Sequence, residues 1–173
     1  MVGQSVPSPA RSLSPTGAAG NSIQAANSLV ISDFDRSCLN YLQDSALVVI
    51  LGKHWPWSTV SYAYHKIAVK EPMVMSMMLA TTSSEINRSR LYDRDKTEGP
   101  CTIESLSDMD SRLHYGRALS GLREALKPDV KSPEQIEAIF ITLWMMIDYE
   151  NRFGSGTAGI NIHIRGIESL LFN

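Results

Sequence analysis

Cysteine is nearly absent: Cys38 and Cys101 are the two thiols in 173 residues. Two cysteines build neither a disulfide framework nor a structural zinc cluster, so a reducing compartment, cytosol or nucleus, is expected. An excess of positive charge is missing as well. Sixteen Lys and Arg face 18 Asp and Glu, a formal net charge of −2. A free-standing nucleic-acid binder needs a basic face to neutralise phosphates, and this balance argues against one. Long apolar runs are lacking too. The longest, residues 45–52, 72–79 and 138–147, fall well short of the roughly 20 residues of a membrane-spanning helix. No basic stretch followed by an apolar run opens the chain, so no signal peptide is expected. A soluble intracellular chain is the expectation.

What is present is enough for one domain. Apolar residues make up 43% of the chain and charged ones 20%, a composition that supports a hydrophobic core. Residues 1–31 carry a single charge, Arg11, among Ser, Pro, Gly, Ala, Asn and Gln. So little apolar surface does not repay the entropy of ordering, and a disordered tail over 1–31 is expected. Its Ser8-Pro9 and Ser14-Pro15 steps suit proline-directed kinases, although a plain linker with no regulated site is the favoured reading.

From residue 32 the pattern turns helical. Ser32 or Asp33 caps a helix carrying Leu39, Leu42, Ala46 and Val49, expected to reach Leu51 and end at Gly52. The segment His54-Trp55-Pro56-Trp57 reads as a turn, after which Ser58 caps a short helix with Val60, Tyr64 and Ile67. Pro72 suits the first position of a third helix, over residues 73–86. Residues 87–107 mix charges and hold Gly99-Pro100, which reads as an exposed loop.

The second half is clearer. Asp108 is placed to cap a helix over residues 109–127, with Tyr115, Leu119, Leu122 and Leu126 on one stripe. Ser132-Pro133-Glu134-Gln135 combines a cap, a first-turn proline and a capping-box partner. The helix that follows is apolar nearly all round from Ala138 to Ile147, which predicts a place at the centre of the fold. After Gly154-Ser155-Gly156 a last helix carries Ile160, Ile164, Ile167 and Leu171. Val48-Val49-Ile50 is a local strand candidate, but it continues the preceding helical stripe without a turn signal. The expected fold is all-α, successive antiparallel helix pairs over residues 32–173.

Chemical motifs are sparse. Cys38, His54, His65, Cys101, His114 and His163 are scattered with no metal-ligand spacing, so no metal is expected. There is no Gly-x-Ser-x-Gly elbow and no Gly-rich phosphate loop, so neither a catalytic residue nor a cofactor site is expected. Cys38 suits a small core position, though only tertiary structure could pair either cysteine with a histidine. Met73, Met75, Met77, Met78, Met145 and Met146, with Trp55, Trp57 and Trp144, fill core space or line a groove between helices.

One order of residues is more telling. Leu113-His114-Tyr115-Gly116-Arg117-Ala118-Leu119-Ser120-Gly121-Leu122 is followed by a Pro-containing turn and an apolar helix ending Asp148-Tyr149-Glu150. A Gly-containing loop then leads to His163-Ile164-Arg165-Gly166-Ile167 and the pair Leu170-Leu171. This order, over about residues 33–172, resembles the fungal-specific transcription factor domain, the helical regulatory region of zinc-cluster regulators. Ile160 stands where that family often has Trp, and Ile167 where it often has Ala. The resemblance marks His114, Tyr115, Leu119, Tyr149, Glu150, His163 and Gly166 as family-motif structural residues. It implies a nuclear regulator of RNA polymerase II transcription, acting through partners or effectors. DNA contact in the family comes from a six-cysteine zinc cluster, which Cys38 and Cys101 cannot form.

The physics of these residues adds its own expectations. Gly116, Gly121 and Gly166 inside helices each cost about 1 kcal/mol against Ala, which close helix crossing would explain. Glu150, if buried, needs a partner, and His163 or Arg165 on the next helix is expected to supply it. The chain looks like the front part of the regulatory region. On that view Ile160, Ile164, Ile167 and Leu171 line an uncovered face and drive self-association. Two other readings stand beside it: a free-standing interaction module or dimerising decoy, and an enzyme working in a Met/Trp-lined space.

Overall fold

The computed structural model describes residues 23–24, 29–48, 56–98, 108–127, 130–154 and 156–172. Gly52, His54, Trp55, Cys101, Pro128 and most of the expected tail therefore lie outside the described residues. The fold is all-α as expected. At the end of the tail, β1 (Ile23–Gln24) and β2 (Val30–Ile31) form a two-residue antiparallel ladder, Ile23 opposite Ile31.

Helix α1 (Asp33–Asn40) opens with a capping box. Asp35 N–H donates to Ser32 Oγ, and Ser32 N–H donates to Asp35 Oδ2. It stops eleven residues short of Leu51. A 3₁₀ turn over Tyr41–Gln43 follows, and Ser45 Oγ then takes the Leu47 N–H at 3.2 Å. Leu47 and Val48 are helical again, so the Ser45 hydroxyl serves as a cap where the helix restarts after the break.

Helix α2 (Pro56–Tyr62) starts on the proline expected to sit in a turn, so Ser58 lies inside the helix rather than at its cap. Residues Ala63–Ala68 continue it as a π segment, burying Ala63, Ile67 and Ala68. Helix α3 (Pro72–Glu98) is longer than expected, since the stretch taken as loop is helical to Glu98. Arg, Glu, Asp and Lys suit an exposed helix, and no breaker interrupts them before Gly99-Pro100. Residues 88–93 are exposed, as the mixed charge implies.

Helix α4 (Met109–Ala125), α5 (Pro133–Arg152) and α6 (Thr157–Phe172) complete the domain. Asp108 does not cap the α4 backbone; its carboxylate accepts from the Ser111 hydroxyl and Arg112 Nε instead. Ser132 and Gln135 form the expected capping box. Between α5 and α6 the chain turns at Gly156, whose φ of 67° favours glycine.

Contacts fix the pairing. Gly121 meets Met73 while Ser111 and Ser84 share the Tyr149 hydroxyl, so α3 and α4 run antiparallel. Gly166 meets Leu143 and the α6 start lies over Glu150, so α5 and α6 are the second antiparallel pair. The core centres on α3, where every residue from Met73 to Ser84 is buried, more than on α5, whose Trp144 is 54% exposed. All six methionines named above are buried, so they pack the core.

Close crossing explains one helix glycine of three. A Cβ on Gly121 would lie 3.0 Å from that of Met73, whereas Gly166 has ordinary contact and Gly116 faces open space. The α4 stripe also shifts. Ser111, His114, Ala118 and Leu122 face inward, while Leu119 is 46% exposed. Small residues let α3 and α4 approach; Leu122 is inside as expected, while Leu119 and Leu126 lie on the flank.

Candidate functional site

Four of the residues singled out by the sequence, Tyr115, Tyr149, Glu150 and His163, meet where α4, α5 and α6 pack, and a fifth, His114, turns to α1. Tyr115, on the flank of α4 between the buried stripe and solvent, donates its hydroxyl proton to Glu150 Oε1 at 2.6 Å. The same oxygen lies 2.9 Å from His163 Nε2 on α6. A phenol has one proton, so His163 must donate from Nε2 to the Tyr115 oxygen. Tyr115 thus bridges Glu150 and His163, a link between the two helices that the sequence alone did not give, and Arg165 is exposed. The glycine at 154 is needed here, because a Cβ there would collide with the Glu150 carboxylate and its Cα.

A second branch runs through Tyr149, which stacks on Tyr115 at 4.9 Å between ring centroids. Its hydroxyl lies 3.1 Å from Ser111 Oγ on α4 and 3.3 Å from Ser84 Oγ on α3. Ser111 gives its proton to Asp108 Oδ1 at 2.8 Å. Tyr149 then donates to Ser111 and accepts from Ser84, which ties three helices through one oxygen.

The third branch holds α1. His114 Nε2 donates to Asp35 Oδ1 at 2.7 Å, and the two side chains are 3% and 7% exposed. Arg90 on α3 adds a cation–π contact to Phe34, 5.4 Å from the ring centroid. Asp35, Ser84 and Ser111 were not singled out by the sequence. For Asp35 the signal was present as Ser32-x-x-Asp35, the spacing of a capping box. Leu119 lies outside the network, and Gly166 contacts Leu143 without joining it.

The electrostatics follow from burial. Desolvation pushes the Tyr115 phenol up, and the hydrogen bond and charge of Glu150 push it further. It is a donor and not an anion. Burial lowers His163 against the opposing pull of Glu150, which favours the neutral imidazole. Burial works to raise the Asp35 carboxyl, but His114 and Ser32 outweigh it and hold it below the usual carboxylate range. Cys38 is pushed up to about 12, first by burial and then by the Asp35 charge, which makes it a protonated core thiol. Among the described residues no group of three or more His, Cys, Asp or Glu side chains could hold a metal ion. The chemistry of this network is positional: directional bonds fix how α1 and α3–α6 meet.

These shifts set a pH dependence. His163 has a folded pKa below its ordinary 6.5, so unfolding takes up a proton there. Its contribution to stability is complete above pH 6.5 and is lost as pH falls through the folded value. Asp35 adds a second loss below its ordinary 3.8, as pH falls through its own lowered value. Melting temperature against pH should therefore fall in two steps on acidification. His163→Gln should remove the upper one; an unchanged upper step would contradict the assignment.

No family model matches the chain, and no curated protein or solved structure is significantly similar to it. The functional reading therefore rests on its own residues and their geometry.

Proposed function

We propose that this chain is the helical regulatory region of a nuclear transcription regulator, acting on RNA polymerase II transcription through partner or effector binding. The observation that carries this reading is that Tyr115, Tyr149, Glu150 and His163 join in one part-buried network, while the adjacent His114 holds α1 through Asp35. Those residues, in that order on three successive helices, are the ones that resemble the fungal regulatory domain. Any DNA contact belongs to a zinc cluster supplied from outside these residues. No described helix is long and apolar enough to cross a membrane.

Tethering tests the reading. The full chain, fused to a heterologous DNA-binding domain in a fungal nucleus, should change transcription of a reporter carrying the cognate sites. Unchanged reporter output from a nuclear, folded fusion would overturn it.

A second reading, an interaction module or dimerising decoy, has an observation of its own. Trp144 on α5 and Ile162 and Ile164 on α6 are 54%, 68% and 41% exposed. The expected face is only partly open, however, because Ile160 and Ile167 are half-buried and Ile167 packs on the core. Leu171 lies outside the described side chains. Co-purification with a longer regulator favours this second reading, and its absence in the tethering strain favours the first.

A further inference from the structure

The chain has three Ser-Pro steps, and two of them, Ser8-Pro9 and Ser14-Pro15, lie outside the described residues. The third is Ser132-Pro133, where α5 begins. It stands open to solvent on both sides. Val130 is fully exposed, and Ser132, Pro133, Glu134 and Gln135 are exposed as well. Residues 130–132 belong to neither helix nor strand. Ser132 is extended, with φ −71° and ψ 157°, as a following proline favours. A proline-directed kinase reads a serine and the proline after it from a segment lying extended in its cleft, and Ser132 already has that backbone.

The hydroxyl is held only at the surface. It accepts the Gln135 N–H at 3.3 Å and donates to the Glu134 carboxylate, while the Ser132 N–H donates to Gln135 Oε1 at 3.0 Å. The first buried residue of α5 is Ala138. The opening turn can therefore enter a kinase cleft without uncovering the core, and helix ends open at far lower cost than core segments. Among the described residues no other serine precedes a proline.

We propose that Ser132 is a phosphorylation site for a proline-directed protein kinase. Ser132 Oγ forms a bond to the γ-phosphorus of ATP as that phosphorus parts from ADP; ADP leaves, and the hydroxyl proton passes to the kinase's base. The product carries about −1.5 to −2 charges at pH 7 where a neutral cap stood. First-turn N–H groups favour an anion there, and the neighbouring Glu134 carboxylate opposes it. Glu134 lines a cleft of about 210 Å³ together with Lys66 and Lys70. Phosphorylation therefore adds negative charge to a rim where α5 already faces two lysines. The site belongs to the chain itself, so it stands or falls apart from the transcription reading.

The test uses the full chain carrying Ser8→Ala and Ser14→Ala, which removes the two other Ser-Pro steps. It is incubated with ATP and an activated mitogen-activated protein kinase, and the product is mapped by mass spectrometry. Phosphate on Ser132 is expected. Pro133→Ala keeps the hydroxyl and its cap, yet should slow the labelling by about tenfold or more, because the kinase loses the residue it discriminates by. No phosphate on Ser132, while a Ser-Pro reference peptide in the same tube is labelled, would overturn the proposal. An unchanged rate in Pro133→Ala would do so as well. Circular dichroism at the reaction temperature shows whether the chain is folded, and labelling confined to the melted chain would also overturn it.

Discussion

His114→Ala is expected to cost about 3 kcal/mol of folding stability, because it strands the buried Asp35 carboxylate without its donor. The side chain is 3% exposed, and its Nε2 is the donor to Asp35 Oδ1. Without it the Asp35 carboxylate stays buried, supported on its other oxygen by the Ser32 N–H. Loss of ring volume adds a cavity between α1 and α4. Urea denaturation measures the effect, and the double variant Asp35→Asn/His114→Ala separates its causes. Removing the stranded charge should recover part of the loss, because the carboxylate no longer needs a donor. A single-variant loss near zero would mean that the pair does not hold α1 in place.

Tyr115→Phe should cost about 2–3 kcal/mol, although it removes one oxygen and keeps the ring. That oxygen serves both sides of the α5–α6 junction. It donates to Glu150 at 2.6 Å and accepts from His163 at 2.9 Å, so its loss removes one hydrogen bond from the half-buried Glu150 and one from the buried His163. Stacking on Tyr149 survives, since the ring centroids stay about where they are, 4.9 Å apart. The damage should therefore be local. Hydrogen exchange is the discriminating measurement: amides of α6 should lose protection more than those of α3. Uniform loss across all helices would argue for general core damage, and no loss would remove Tyr115 from its bridging role.

Much of this architecture could be read before the structure, and what escaped has physical reasons. The Ser132–Gln135 box and the Gly154–Gly156 turn are local signals, fixed within a few residues, and both appear where expected. The α4 stripe failed because two sets of positions share the same helical spacing. Leucine at 119 and 126 drew attention outward, while Ser111 and Ala118 sat inside. Small side chains carry little hydrophobic signal, yet they are what close packing against α3 requires. The end of α3 was misplaced for the opposite reason: charge and polarity mark exposure, and an exposed helix shares them with an exposed loop.

The network was half legible. His114, Tyr115, Tyr149, Glu150 and His163 stood out as residues, but their connections did not. Asp35 is 79 positions from His114, and no local pattern links them. Glu150 was matched to its neighbours on the next helix, without the Tyr115 bridge from the helix before. Hydrogen-bond partners across helices depend on how elements dock, and docking is set by the whole core rather than by any segment.

Helix α1 carries Asp35 toward His114 and, three residues on, Cys38 into the core, where the thiol is 0% exposed. A sulfur so placed meets a labelling reagent only while the helix has lifted away. In a Cys101→Ser background, the rate at which Cys38 is alkylated would count those excursions one by one. The protein thus carries its own clock for the opening of one helix, built from the residue type it has least of.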